Sequence, residues 1–175
     1  MSNTMKLPTV LLLIVFAQTS FAGDVSIVVR KQARVVQVLD DGKVVKTYRA
    51  ALGYAPDGTK LRQGDGKTPE GRYFVRVKNA NSQFHLSLGI DYPGVDDAAR
   101  GLKARLIDGA QYAAIVAAHR RNRLPPQNTA LGGDIFLHGG GNSRDWTLGC
   151  IALDNADIEE LYKTVKLGTP VDIVR

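Results

Sequence analysis

Cys150 is the only cysteine in the chain, so no disulfide within one molecule can hold the fold together. Stability must come from an apolar core and paired backbone. A mature chain of about 150 residues is long enough to bury such a core in one domain. The same residue also bears on chemistry. An idle thiol is a liability in an oxidising compartment, and the N-terminus points to one. Residues 1–22 read as a secretory signal: Lys6 leads, an apolar run spans Leu7 to Phe16, and Ser20-Phe21-Ala22 forms a small-x-small cleavage pattern before Gly23. The run is shorter than the roughly 20 residues of a spanning helix. The expectation is an exported protein whose mature domain covers 23–175, with no transmembrane anchor.

The net charge is +6, and removing the leader takes away one lysine and no acid. A basic balance suits anionic surroundings. Nucleic acid is a poor fit. Arg120-Arg121-Asn122-Arg123 is the one dense basic run, no aromatic side chains interleave with it, and it reads as a solvated helix end.

Patterning predicts a mainly β, α+β domain. Val25–Val29, Arg34–Leu39 and Lys43–Tyr48 read as strands, with Asp40-Asp41-Gly42 as a hairpin turn. A long Gly/Pro/Asp loop runs from Gly53 to Gly71. Tyr73–Val77 and Phe84–Leu88 are further strands. Two alanine-rich helices follow, Asp96–Ile107 and Gln111–His119, with Gly101 and Gly109 expected to interrupt them. A short strand, Asp134–Leu137, delivers His138. A late helix capped by Asp154 or Asn155 runs to Val165 and ends at Gly168, before a closing strand that starts at Pro170.

Several motifs are excluded. Gly66-Lys67-Thr68 lacks the glycine five residues upstream that a phosphate loop needs, and Pro69-Glu70-Gly71 prevents a long helix after it. Gly139-Gly140-Gly141 has Arg144 where a dinucleotide fingerprint needs its third glycine. His85, His119 and His138 form no zinc spacing, so no metal is expected. The Cys150–His138 pair remains. An imidazole near a thiol can take its proton and return it to a leaving amine. Gly149 permits a sharp turn before the thiol, where the main-chain N–H groups of Gly149 and Cys150 can face a developing oxyanion. The alternative is that Cys150 is simply a small buried hydrophobe.

His138-Gly139, a polar glycine loop and then Gly149-Cys150-Ile151 resemble the signature of the L,D-transpeptidase catalytic domain, the YkuD-like family. Thr68-Pro69-Glu70-Gly71 resembles that family's strand-opening motif. Phe84-His85-Leu86-Ser87-Leu88 and Tyr92-Pro93-Gly94 resemble its branch with helical insertions. The resemblance implies a β-sandwich catalytic domain with a helical insertion and one late helix, working in the periplasm or cell envelope. It implies a cofactor-free acyl transfer on peptidoglycan stem peptides. Cys150 would be the nucleophile and His138 the base and acid, with a carbonyl of Gly139 or Gly140 orienting the imidazole. The acceptor would be a second stem or an envelope-protein lysine.

Two departures stand out: Thr147-Leu148-Gly149-Cys150 replaces Ser-His-Gly-Cys, and Ile151-Ala152 replaces Ile-Arg. They leave two rivals open. One is a hydrolase or L,D-carboxypeptidase using the same pair; the other is a non-catalytic wall-binding module. His85, Arg144, Trp146 and Thr147 are the candidate groove residues, with His85 alternatively an ordinary strand histidine and Trp146 alternatively a loop-packing residue.

Overall fold

The computed structural model describes residues 23–175; the proposed signal segment, 1–22, lies outside them. Eight strands and three helices follow the chain in the order β1 Val25–Arg30, β2 Val35–Asp40, β3 Lys43–Arg49, β4 Gly71–Ser82, β5 His85–Ile90, α1 Val95–Lys103, α2 Gly109–Arg120, β6 Phe136–His138, β7 Ile151–Ala152, α3 Asn155–Thr164 and β8 Pro170–Val174. The strands form one run, β3-β2-β1-β8-β4-β5-β6-β7. This is the expected mainly β fold with a helical insertion and one late helix.

Alternation builds the core. Ile27 and Val29 of β1, Val36 and Val38 of β2, Tyr73 and Val75 of β4, and Val171 and Ile173 of β8 are buried at every second position. Asp41 and Gly42 both have positive φ, as a tight hairpin turn between twisted strands requires. The closing strand β8 pairs parallel with β1 and antiparallel with β4, tying the end of the chain to its beginning. Strand β4 is the hinge of the sheet. Its first residues, Gly71–Phe74, pair with β8, and after a register shift near Val75 the rest pairs with β5. Both halves then share one apolar cluster that includes Ile27, Val75, Leu88, Leu137 and Ile151, closed by Ile158 and Leu161 of α3.

The insertion carries its own small cluster of Ala98, Ile107, Ile115 and Leu131. The break between its helices differs from the expected one. Gly101 lies inside α1, where an added Cβ would sit 2.6 Å from Leu131, so this glycine allows close packing rather than ending a helix. Gly109 opens α2, and Asp108 caps it by accepting from the Gln111 N–H at 2.8 Å. Asp154 flanks α3 without a side-chain cap bond. The Asn155 side chain instead accepts from the Gly140 N–H at 2.9 Å, so it serves the glycine loop rather than the helix end.

The long loop before β4 is ordered by two buried lysines. Lys31, after β1, donates to the Thr68 carbonyl at 2.9 Å and pairs with Glu70 at 2.8 Å. Lys60 pairs with Asp65 at 3.0 Å, and that carboxylate also accepts from the N–H groups of Leu61, Arg62 and Lys67. Such bonds satisfy polar groups that a buried loop would otherwise strand. They also bring the loop against the Cys150 turn: a Cβ on Gly149, which has φ +135°, would lie 2.7 Å from the Lys67 carbonyl oxygen. No helix among the described residues is long and apolar enough to cross a membrane.

Candidate active site

Strand β6 carries His138 beside β7, the two-residue strand that follows Cys150; the pair is parallel, with Leu137 opposite Ile151 and His138 opposite Ala152. This pairing brings the two motifs together. Cys150 and His138 line the same two adjoining cavities, of about 460 Å³ and 540 Å³. Phe84, Gln83 and Asp134 are also common to both. Asn79, Asn81, Ser82 and Ser87 line the first, a neutral polar set. Lys60, Gln127, Trp146 and Leu148 line the second.

The imidazole is buried and fixed. Its Nδ1 donates to the Gly139 carbonyl, which can only accept, at 2.6 Å. That bond leaves Nε2 as the basic nitrogen. Phe84 stacks on the ring at a centroid distance of 4.6 Å, and Trp146 meets it edge-on at 5.7 Å. Trp146 is itself held by donating from Nε1 to the Gly141 carbonyl at 3.0 Å. Burial lowers the His138 pKa below the usual histidine value, opposed by its bond to Gly139, so the ring is neutral near pH 7.

The thiol is half-buried and donates to the Asp134 carbonyl at 3.3 Å. Burial pushes it up to about 11. The Asp134 charge adds to the rise, while the Phe136 N–H and the Lys60 charge oppose it. The resting pair is therefore a neutral thiol beside a neutral imidazole.

Thr147 shapes the turn at Cys150. It is buried, accepts from the Gly149 N–H at 3.1 Å and donates to the Cys150 carbonyl at 2.7 Å. The Gly149 N–H is thus already occupied. This corrects the expectation that it faces an oxyanion. Gly139 is needed for closeness, since a Cβ there would lie 2.5 Å from the Asn155 side-chain oxygen and 2.8 Å from the Phe84 carbonyl. Gly140 adopts φ +102°, and the Gly139 carbonyl, not that of Gly140, holds His138.

Two expected groove residues lie elsewhere. His85 has φ +74° at the start of β5, which swings its side chain out to Glu159 on α3 at 2.7 Å. It lines neither cavity. Its neighbour Phe84, in the turn before β5, takes the place against His138 instead. Arg144 is exposed and lines neither cavity. The next residue, Asp145, anchors the loop instead, pairing with Arg34 at 2.8 Å and accepting from the Leu52 N–H at 2.8 Å.

Phe84, Lys60 and Asp134 were not singled out from sequence. Only the position of Phe84 beside a suspected histidine hinted at a role. The two motif departures are also accommodated. Leu148 is 74% exposed at the cavity lip. Ala152 is fully buried and exchanges two main-chain bonds of 2.8 Å with Ala51. Among the described residues no cluster of three His, Cys, Asp or Glu side chains could hold a metal ion.

The model of the YkuD L,D-transpeptidase catalytic domain matches residues 24–173. No curated protein matches the chain by sequence. Solved structures share the fold. The helical cell shape determining protein Pgp2 of Campylobacter jejuni superposes with a TM-score of 0.57 at 21% identity, covering 85% of this chain and 46% of that one. Bd1075 of Bdellovibrio bacteriovorus gives 0.54 at 23%, covering 87% and 48%. An L,D-transpeptidase from Mycobacterium smegmatis gives 0.51 at 14%, covering 87% and 59%. The chain thus spans about half to three fifths of the length of these proteins. With the family match extending over nearly all the described residues, the chain belongs to the YkuD family of L,D-transpeptidase catalytic domains.

Proposed function

We propose that this protein is an exported cysteine acyltransferase that acts on peptidoglycan stem peptides, with residues 1–22 removed on export. One observation carries the reading: the Cys150 thiol and an imidazole locked in the Nδ1–H form open onto the same pair of cavities.

Burial raises the Cys150 pKa to about 11 and lowers that of His138, so the resting pair favours the neutral thiol and imidazole over a standing ion pair. Instead His138 Nε2 takes the proton as sulfur attacks. Sulfur adds to the carbonyl of the third, diamino-acid residue of a tetrapeptide stem. The Cys150 N–H is the donor left at the turn for the oxyanion, because Thr147 occupies that of Gly149. The C–N bond to the terminal D-alanine breaks, and imidazolium returns the proton to the departing amine. A thioester to Cys150 remains. An amine acceptor then adds, the C–S bond breaks, and the proton passes through His138 back to sulfur. No step calls on a cofactor.

Two cavities meeting at one thiol favour transfer over hydrolysis, since a donor and an acceptor can occupy them together. Incubation of the mature protein with a purified tetrapeptide stem fragment and an amine acceptor tests this. Crosslinked or acceptor-linked tripeptide is expected. Free tripeptide alone would make water the acceptor and the protein a carboxypeptidase or hydrolase. Binding without any product would make it a wall-binding module.

A further inference from the structure

Main-chain bonds hold the glycine loop on either side of one peptide unit. The His138 carbonyl accepts from the Leu153 N–H at 2.8 Å, the Gly139 N–H donates to the Leu86 carbonyl at 3.3 Å, and the Gly141 N–H donates to the Leu153 carbonyl at 2.9 Å. The unit between Gly139 and Gly140 is held by side chains instead. Its oxygen accepts from His138 Nδ1 at 2.6 Å, and its N–H donates to Asn155 Oδ1 at 2.9 Å. The two bonds act on opposite edges of a single plane. Little steric resistance opposes turning that plane over, because a flip rotates ψ of Gly139 and φ of Gly140, and both residues are glycine. Turned over, the unit would offer its N–H to the ring. Nδ1 would then have to accept, the ring proton would sit on Nε2, and no basic nitrogen would remain for the Cys150 thiol.

We propose that Asn155 is a positioning residue for His138, acting through the Gly139–Gly140 peptide to keep the imidazole in its Nδ1–H form. Asn155 is the first residue of α3, yet it does not cap that helix, and it is exposed, so its removal opens no cavity. Its side-chain oxygen faces the loop closely enough that a Cβ on Gly139 would lie 2.5 Å from it. Water at this exposed edge could meet either orientation of the peptide, since it donates as readily as it accepts. A side-chain acceptor fixed by the helix selects one. The two bonds also polarise the peptide between them, so each strengthens the other. The consequence for rate rests on the acyl-transfer reading above; the state of the ring does not.

The test reads the ring directly. The chain has three histidines, so the two-bond proton–nitrogen correlations of the ¹⁵N-labelled mature protein can be assigned to His138 by their loss in His138→Ala. The wild-type protein should show the neutral Nδ1–H pattern above the His138 pKa. Asn155→Ala should add the Nε2–H pattern, and should lower kcat for D-alanine release from a tetrapeptide stem by about tenfold with KM little changed. Asn155→Asp, which can only accept, should restore both the pattern and the rate. Asp154→Ala, at the same helix end but without a side-chain bond to the loop, should change neither. Asn155→Leu, equal in size and without an acceptor, takes the place of the alanine variant should that one not fold. An Asn155→Ala ring that keeps the wild-type pattern, or an aspartate variant as impaired as the alanine one, would overturn the proposal while leaving acyl transfer intact. Absence of D-alanine release from the wild-type protein would remove the acyl-transfer reading, and the ring pattern would still judge Asn155.

Discussion

The β3-β2-β1-β8 half of the sheet and the β5-β6-β7 end that carries the site are built on different principles. In the first, β1, β2 and β8 alternate buried and outward side chains and the apolar pattern does the organising, with β3 a largely exposed edge. In the second, β6 has three residues and β7 two. Position there is set by side chains bonded to main chain: Thr147 across the Cys150 turn, Asn155 to Gly140, Asp145 to Leu52, Gln127 to Asp134. The apolar cluster runs through both regions, whereas chemical geometry is set in the second. Substitutions in the first should therefore cost stability while leaving the chemistry of the site largely untouched.

The sharpest contrast pairs His138→Ala with Ile27→Ala. The first should cut D-alanine release by about 10²–10⁴-fold, measured as initial rate, because the thiol loses its base. The second should cost about 2–5 kcal/mol in denaturant titration, yet leave turnover per folded molecule unchanged. Equal loss of activity in both would dissolve the distinction.

Legibility from sequence follows the same division. The strands near Val25–Val29 and Arg34–Leu39 are readable because period-two burial is written in their residues, and Lys43–Tyr48 from its β-branched residues and the Asp40-Asp41-Gly42 turn before it. So are the Cys150–His138 pairing and the late helix, through motif and spacing. What escaped depends on contacts distant in the chain. Strand β7 is two residues long and is defined by its neighbours, β6 on one side and Ala51 on the other. Asp134 and Lys60 come from the insertion side and the long loop, and nothing in their local sequence marks their meeting at a thiol. Of the two readings of His85 the structure bears out the one outside the groove, and the positive φ that turns it toward Glu159 is not written in the local sequence.

pH dependence separates the regions next. The proposed mechanism needs neutral imidazole, and the His138 pKa is lowered, so the acid limb of the rate profile should fall below the ordinary value of 6.5. Stability responds at both ends of the pH scale, with opposite signs. The unfolded chain binds a proton at His138 before the folded one does, so this site's contribution fades as pH drops below 6.5. The folded thiol ionises only near 11 against an ordinary 9.0, so its contribution fades as pH rises through that window. Denaturant titrations across pH 8–11 (approximate limits from the same linkage) should show an alkaline decline that is smaller in Cys150→Ala.

Thr147→Val comes third. It frees the Gly149 N–H and the Cys150 carbonyl, and should lower turnover by about tenfold with about 1–2 kcal/mol of stability lost, read from kcat and denaturant midpoint. The smallest effect is expected at Val44→Thr on exposed β3, within about 0.5 kcal/mol and with no change in rate.

The central claim is that Cys150 carries the acyl group. Intact-mass measurement of the mature protein, quenched in acid after mixing with a tetrapeptide stem and no acceptor amine, tests it directly. The account predicts a mass increase equal to the tripeptide acyl group, localised to Cys150, released by added amine and absent in Cys150→Ala. D-alanine release that persists in Cys150→Ala, or turnover without any adduct on the sulfur, would contradict it.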